Sequence, residues 1–154
     1  MSTLSELTSK ADYIASRNHL LKSQWHTYQN SLIQAVNALS KKINHEFICG
    51  GGDDIRFMLF NHFTVSIHLS DDFFSHEVIY SLNIAPPAEA PRFTAFAQAT
   101  LSEDGCIDDV IIRDKPAVLD HYLNKISAIY QCLFDALQMK QPVYLQLAKL
   151  LDHQ

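Results

Sequence analysis

The side chains with the most chemistry to offer are histidines. His62, His68 and His76 lie close together in the chain, with Asp71 and Asp72 among them, and imidazole with carboxylate is a donor set for zinc or iron. Their spacing argues against a shared ion. His62 and His68 have the same parity in a strand-like run, and six residues of extended chain set them roughly 20 Å apart. Solvated strand histidines are therefore expected, and no catalytic, cofactor-binding or metal-ligating residue is assigned. A metal-dependent enzyme is the alternative, marked by stoichiometric metal in the purified protein.

Other candidate chemistry is weaker. Gly50-Gly51-Gly52 is followed by Asp53-Asp54 and not by Lys-Ser/Thr, so it reads as a linker and not as a phosphate cradle. There is no Gly-x-Ser-x-Gly elbow. Cys49, Cys106 and Cys132 are widely spaced and odd in number, which fits neither a disulfide framework nor a zinc pair and suits a reducing cytoplasm. Cys132, in an apolar helical run, reads as a core thiol. Eight histidines would carry the formal charge from −5 to +3 if all were protonated, and most are expected simply to follow bulk pH.

With 154 residues, 47% of them hydrophobic and 19% charged, the chain can bury the core of one domain. Its net charge of −5 opposes the attraction to phosphate backbones that dominates non-specific nucleic-acid binding, so direct DNA binding is not expected. The charge is uneven. Residues 1–46 hold five basic and three acidic side chains, and residues 53–114 hold three basic and eleven acidic ones, which reads first as a solvated acidic rim. The N-terminus lacks the basic start and apolar run of a signal peptide, and no stretch reaches the ~18 consecutive apolar residues of a membrane span. A cytoplasmic location without membrane contact is the expectation.

The elements that must position these residues follow an α+β order: one long N-terminal helix, an antiparallel sheet of about five strands, then two C-terminal helices. As one domain over 1–154, the chain divides into a long helix at 1–45, sheet at 46–112 and helices at 114–151. No Gly or Pro occurs before Gly50. Strand-like runs cover about 55–60, 62–69, 76–84, 92–101 and 106–112, with Phe63, Val65, Ile67 and Leu69 on one face and His62, Thr64, Ser66 and His68 on the other. Asp114 with Pro116 marks the start of the next helix.

The first helix carries a heptad: Leu4, Ala11, Asn18, Trp25, Leu32 and Leu39 at one core position, with Leu7, Ile14, Leu21, Tyr28, Ala35 and Lys42 at the other, ten of the twelve apolar or aromatic. About 40 residues at 1.5 Å each span some 60 Å, whereas a compact domain of this size is only about 40 Å across. An unbroken helix must overhang its own domain. Its stripe, comprising Leu7, Ile14, Asn18, Leu21, Trp25, Tyr28 and Leu32, is expected to be a protein interface, with Trp25 and Tyr28 as anchors and Asn18 setting register. The alternative is a bend near Asn18 to Ser23 that folds both halves onto the sheet.

With these residues in view, the chain resembles the enterobacterial formate hydrogenlyase regulatory (HycA) family. The likeness runs through Lys10-Ala11-Asp12-Tyr13-Ile14-Ala15, Gln24-Trp25-His26-x-Tyr28, Asn30-Ser31-Leu32, Leu59-Phe60-x-His62-Phe63 and Ser75-His76. It continues through Leu101-Ser102-x-Asp104-Gly105-x-Ile107-Asp108, Arg113-Asp114 and His121-Tyr122-Leu123-x-Lys125-Ile126, and is least in Ala85 to Arg92 and the C-terminal tail. The resemblance implies a negative regulator of formate hydrogenlyase expression that counteracts the formate-responsive transcriptional activator, with that activator and a second copy of the chain as partners. It supplies no catalytic or ligand residues. A small acidic assembly or secretion chaperone is the other class that size, charge and fold allow, marked by a client peptide copurifying along the sheet or long helix.

Overall fold

The computed structural model describes residues 3–48 and 54–152; Cys49, Gly50-Gly51-Gly52 and Asp53 lie outside the described residues. Helix α1 (Thr3–Asn37) is followed by the short α2 (Ser40–Ile43) and by strands β1 (His45–Ile48), β2 (Ile55–Leu59), β3 (Phe63–Leu69), β4 (Glu77–Asn83) and β5 (Phe93–Thr100). Then come β6 (Cys106–Ile107), β7 (Val110–Ile111), α3 (Lys115–Gln138) and α4 (Val143–Asp152). This is the expected α+β order.

The long helix stops earlier than the expected residue 45. Leu39 N–H bonds back to the Val36 carbonyl, a three-residue step that tightens the last turn, and Leu39 itself leaves helical geometry at φ −132°, ψ 21°. Asn44, left-handed at φ 51°, then turns the chain into β1, Asn being one of the few residues that enters this region readily. His45 is thus the first residue of a strand, not the end of the helix. At Asn18 to Ser23, where a bend was the alternative, α1 runs on unbroken.

The five strands β1 to β5 form an antiparallel meander in sequence order. The sheet has the expected number of strands but not the expected members: β1 joins it, while 106–112 forms the separate β6–β7 ribbon, tied on by a Leu101–Ile107 bridge. Asp108, with φ 53°, folds that segment back on itself before it can extend the sheet.

Period-two alternation appears as read. Ile55, Phe57 and Leu59 on β2, Val65 and Ile67 on β3, and Val78, Tyr80 and Leu82 on β4 are fully buried, facing one layer made by α1 and α3. On α3, Val118, Tyr122, Ile126, Ile129, Leu133 and Ala136 are buried, the three-and-four spacing of one helix face. Asp114 caps its first turn by accepting from Ala117 N–H at 3.3 Å. At its end Lys140 is left-handed at φ 54°, and Gln141 N–H reaches the Ala136 carbonyl at 2.8 Å. This Schellman closure reverses the chain into α4.

On the opposite face of the sheet the described side chains are mostly polar or half-buried. Ser66 and Ser81 pair across β3 and β4 and are nevertheless buried. Arg56, paired with Ser66, extends its guanidinium to 5.5 Å from the ring centre of Phe93 on β5, so the serines lie beneath a long side chain.

Candidate interaction surface

Helix α1 has two halves with opposite environments. From Leu21 onward its stripe is core: Leu21, Trp25, Tyr28, Ser31, Leu32, Ala35 and Val36 are buried, and Tyr28 and Trp25 are closed to solvent entirely. From Thr3 to Ser16 every residue is exposed, including Leu4 at 73%, Leu7 at 58% and Ile14 at 51%. Of the residues expected to form an interface, Leu21, Trp25, Tyr28 and Leu32 therefore serve this chain's own core. Trp25 and Tyr28 are not available as anchors, because the sheet and α3 already cover that stretch of the stripe. Leu7 and Ile14 lie open, and Asn18 is half-buried where the two halves meet.

The root of this arm is tied down. Arg17 pairs with Glu103 and rests 5.1 Å from the Tyr13 ring centre, and Gln24 Nε2 donates to the Glu103 carbonyl at 3.3 Å. Phe73, 68% exposed, stands beside the root on the β3–β4 connection. It shares one cleft with Tyr13 and Ile14 and another with Asn18 and Trp25.

A second apolar surface lies away from the arm. A cleft of ≈ 880 Å³ is walled by Ile43, Phe60, Phe63, Tyr130, Phe134 and Leu137, among others. Phe60 and Asn61 form the β2–β3 turn with positive φ, 55° and 56°, closed by His62 N–H to the Leu59 carbonyl at 2.9 Å. That geometry turns the Phe60 ring onto Tyr130, 5.5 Å between centres. The cleft was not read from the sequence. Phe134, directly after the core residue Leu133 and so off the buried stripe of α3, was its one signal.

Beneath the cleft is a closed polar site. His45 is fully buried, with Nε2 2.7 Å from Tyr122 Oη and Nδ1 3.1 Å from Tyr130 Oη. The Tyr130 hydroxyl donates to the Ile43 carbonyl at 2.8 Å, so its oxygen accepts from His45 Nδ1–H, leaving Nε2 to accept from the Tyr122 hydroxyl. The ring is thereby held neutral as one tautomer, and burial pushes its pKa down to about 4.

A further polar group joins the β6–β7 ribbon to α3. His121 Nε2 lies 2.8 Å from Asp108 Oδ2, Lys125 Nζ is 3.8 Å from the same oxygen, and Thr100 N–H donates to Asp108 Oδ1 at 2.9 Å. Burial acts to raise the Asp108 pKa, but the hydrogen bonds from His121 and Thr100 and the Lys125 charge outweigh it and hold it below the ordinary value.

The histidines considered as ligands go to separate places. His62 bonds to the Tyr144 hydroxyl on α4, His76 Nδ1–H donates to the Leu101 carbonyl at 2.6 Å, and His68 stands on β3 opposite Ile79. Among the described residues no three His, Cys, Asp or Glu side chains are grouped to hold a metal ion. Cys106 and Cys132 are both free thiols, the latter partly buried against the core. No helix of the described residues is long and apolar enough to cross a membrane.

Fold and surface define an α+β protein with exposed apolar side chains on a helical arm and about a helix-lined cleft, among other places. Comparison with known proteins gives its relatives: the chain belongs to the HycA repressor family, described as transcriptional repressors of the hyc and hyp operons, which matches residues 2–149. It is 40% identical to the formate hydrogenlyase regulatory protein HycA of Escherichia coli K12 over 149 residues, 96% of this chain and 95% of that protein. The HycA proteins of Escherichia coli O157:H7 and Shigella flexneri match with the same identity and coverage. No solved structure matches the chain.

Proposed function

We propose that the chain, acting as one regulatory domain over residues 1–154, is a negative regulator of formate hydrogenlyase expression that works through protein contact. Its target is the formate-responsive transcriptional activator, it self-associates as a homodimer, and it acts in the cytoplasm without catalysis and without gripping DNA itself. Family membership supports the regulatory role. The observation that carries the mode of action is the exposed apolar surface: Leu4, Leu7 and Ile14 on the arm, and Phe60, Phe134 and Leu137 about the cleft, are each 44–73% exposed. Exposed apolar side chains grouped in this way mark sites of protein association. The acidic balance of −5 supports the negative statement about DNA.

The test mixes purified chain with purified activator, and separately with promoter DNA of the hyc operon, while a hyc-promoter reporter is followed in anaerobic cells with and without the chain. Capture of the activator with reporter repression is the expected outcome. Tight, salt-sensitive binding to the DNA alone, with no capture of the activator, would overturn the reading.

A further inference from the structure

We infer that the connection from α1 to β2 is an acid-released strap pinned by His45: a second proton on its ring frees residues 38–48 from α3 while the rest of the fold stays closed. The device belongs to the chain alone and holds whatever protein the chain contacts.

The strap is anchored at one point. Among the described residues between Val36 and Ile55, His45 alone is fully buried. Helix α2 buries none of its residues and has no side-chain cap, and the other side chains of β1 are exposed or half-buried. β1 is also an edge strand, paired on one side over four residues. The other ties run through the same corner: the Tyr130 hydroxyl donates to the Ile43 carbonyl at 2.8 Å, and Phe60 N–H donates to the Asn44 carbonyl at 2.8 Å. The layer of α1, α3 and β2 to β5 takes no other fully buried side chain from the strap, so it can stay closed without it.

The pin holds only a neutral ring. Nδ1–H donates to Tyr130 Oη and Nε2 accepts from the Tyr122 hydroxyl, at 3.1 and 2.7 Å. A protonated imidazole has two donors and no acceptor, so the Tyr122 hydroxyl would have to turn its proton away from the ring. It lies in a dry layer, with the rings of Phe57 and Tyr80 centred 5.6 and 6.2 Å from its own, and the Tyr80 hydroxyl is engaged with Tyr28. The added proton both breaks a hydrogen bond and leaves a cation in an apolar layer.

No neighbouring charge offsets that cation. From α3 the ring meets two phenols, which burial keeps protonated. From β2 it meets Phe57, while Arg56 sends its guanidinium to Phe93. The last turn of α1, Gln34 to Asn37, has no charged residue, and on the strap itself Lys41, Lys42 and Glu46 are exposed. Burial is the cause that holds the His45 pKa at about 4.

In the open strap the imidazole meets water and regains its ordinary value near ~6.5. A lowered pKa in the closed form means that closure is complete above that value and weakens as the pH falls through it. The ratio of open to closed strap rises roughly thirtyfold from about pH 7.5 to about pH 5 and levels off below about pH 4. Opening takes Ile43 out of the wall of the apolar cleft and bares the edge of β2 that β1 covers. Mild acid thereby reshapes the cleft and exposes a strand edge.

Amide hydrogen exchange on the full chain, followed from about pH 5 to 7.5 in zero to about 1 M urea and corrected for intrinsic rates, tests the strap. Amides of residues 39–48 are expected to lose protection roughly thirtyfold on acidification, with little response to urea. Amides of β3 should exchange far more slowly and respond steeply to urea, because they need global opening. His45→Gln, which takes no second proton, should leave strap exchange flat with pH. Should that variant not fold, the wild-type series still decides, because an onset near pH ~6.5 belongs to an imidazole and not to a carboxylate. Strap protection that ignores pH, a strap whose urea response equals that of β3, or an unchanged pH slope in folded His45→Gln would each overturn the inference.

Discussion

The hydroxyl oxygens of Tyr28 on α1 and Tyr80 on β4 lie 2.6 Å apart in the solvent-free layer between helix and sheet. Burial holds both phenols well above their ordinary pKa, so neither ionises at any ordinary pH and the bond persists. Tyr28→Phe leaves the Tyr80 hydroxyl stranded and should lower stability by about 1–3 kcal/mol, whereas Tyr28→Phe with Tyr80→Phe should recover part of the loss because no polar group is then left unpaired. Chemical denaturation of the two single variants and the double variant checks this; a double variant equal to the sum of the singles would show no coupling.

Trp25 separates core from interface. As a fully buried ring it should cost about 3–5 kcal/mol on truncation to alanine, a large share of the total stability of a domain. Leu7→Ala, on the open arm, should change monomer stability by no more than about 0.5 kcal/mol. Thermal unfolding at low protein concentration distinguishes them, and a Trp25→Ala protein as stable as wild type would contradict the placement of α1.

His45 makes stability fall on mild acidification. Its folded pKa of about 4 lies below the unfolded value near ~6.5, so between these values the unfolded chain binds a proton that the folded chain refuses. Stability is complete above about pH 6.5, declines as the pH drops, and stops declining on this account below about pH 4, with a total on the order of 3 kcal/mol. His45→Gln, which cannot titrate, should flatten that limb while lowering stability at pH 7, since Tyr122 and Tyr130 lose their shared partner. Denaturation midpoints from pH 4 to 8 are the measurement.

Asp108 has the opposite sign and a lower window. Its depressed pKa means that its contribution is present above the unfolded carboxylate value near ~3.9 and is lost as the pH falls through the lower folded value. Asp108→Asn should therefore lower the melting temperature modestly at pH 7, with the gap from wild type closing as the pH falls below the unfolded carboxylate value near ~3.9. A gap that stays constant with pH would assign the effect to packing.

Much of the fold was legible because its signals are local. The alternation of Phe63, Val65 and Ile67, the Asp114 cap with Pro116, and the helical period of α1 each depend on neighbours a few residues away. What was not legible depended on contacts across the chain. His45 is a strand residue because it meets Tyr122 and Tyr130 on α3, and nothing near it in sequence announces that. Trp25 and Leu7 sit on the same stripe and read alike as interface; only the position of the body, ending near Asn18, makes one core and the other surface. The cleft beside α3 likewise needed the Lys140 reversal and the Phe60 turn to bring its walls together.

The arm also has a consequence for helix–coil behaviour. Its residues from Thr3 to Ser16 are all exposed, yet they extend a helix whose packed half has already met the cost of nucleation, so each added turn needs little beyond propagation, which is near balance in water. In a lone molecule the arm should thus fray progressively outward from Arg17 toward Thr3. Amide-hydrogen protection should fall along that gradient, and far-ultraviolet ellipticity should deepen as concentration rises and a neighbouring chain damps the fraying. The unwound fraction would then set how quickly the arm is found, making its association a coupled winding and docking step.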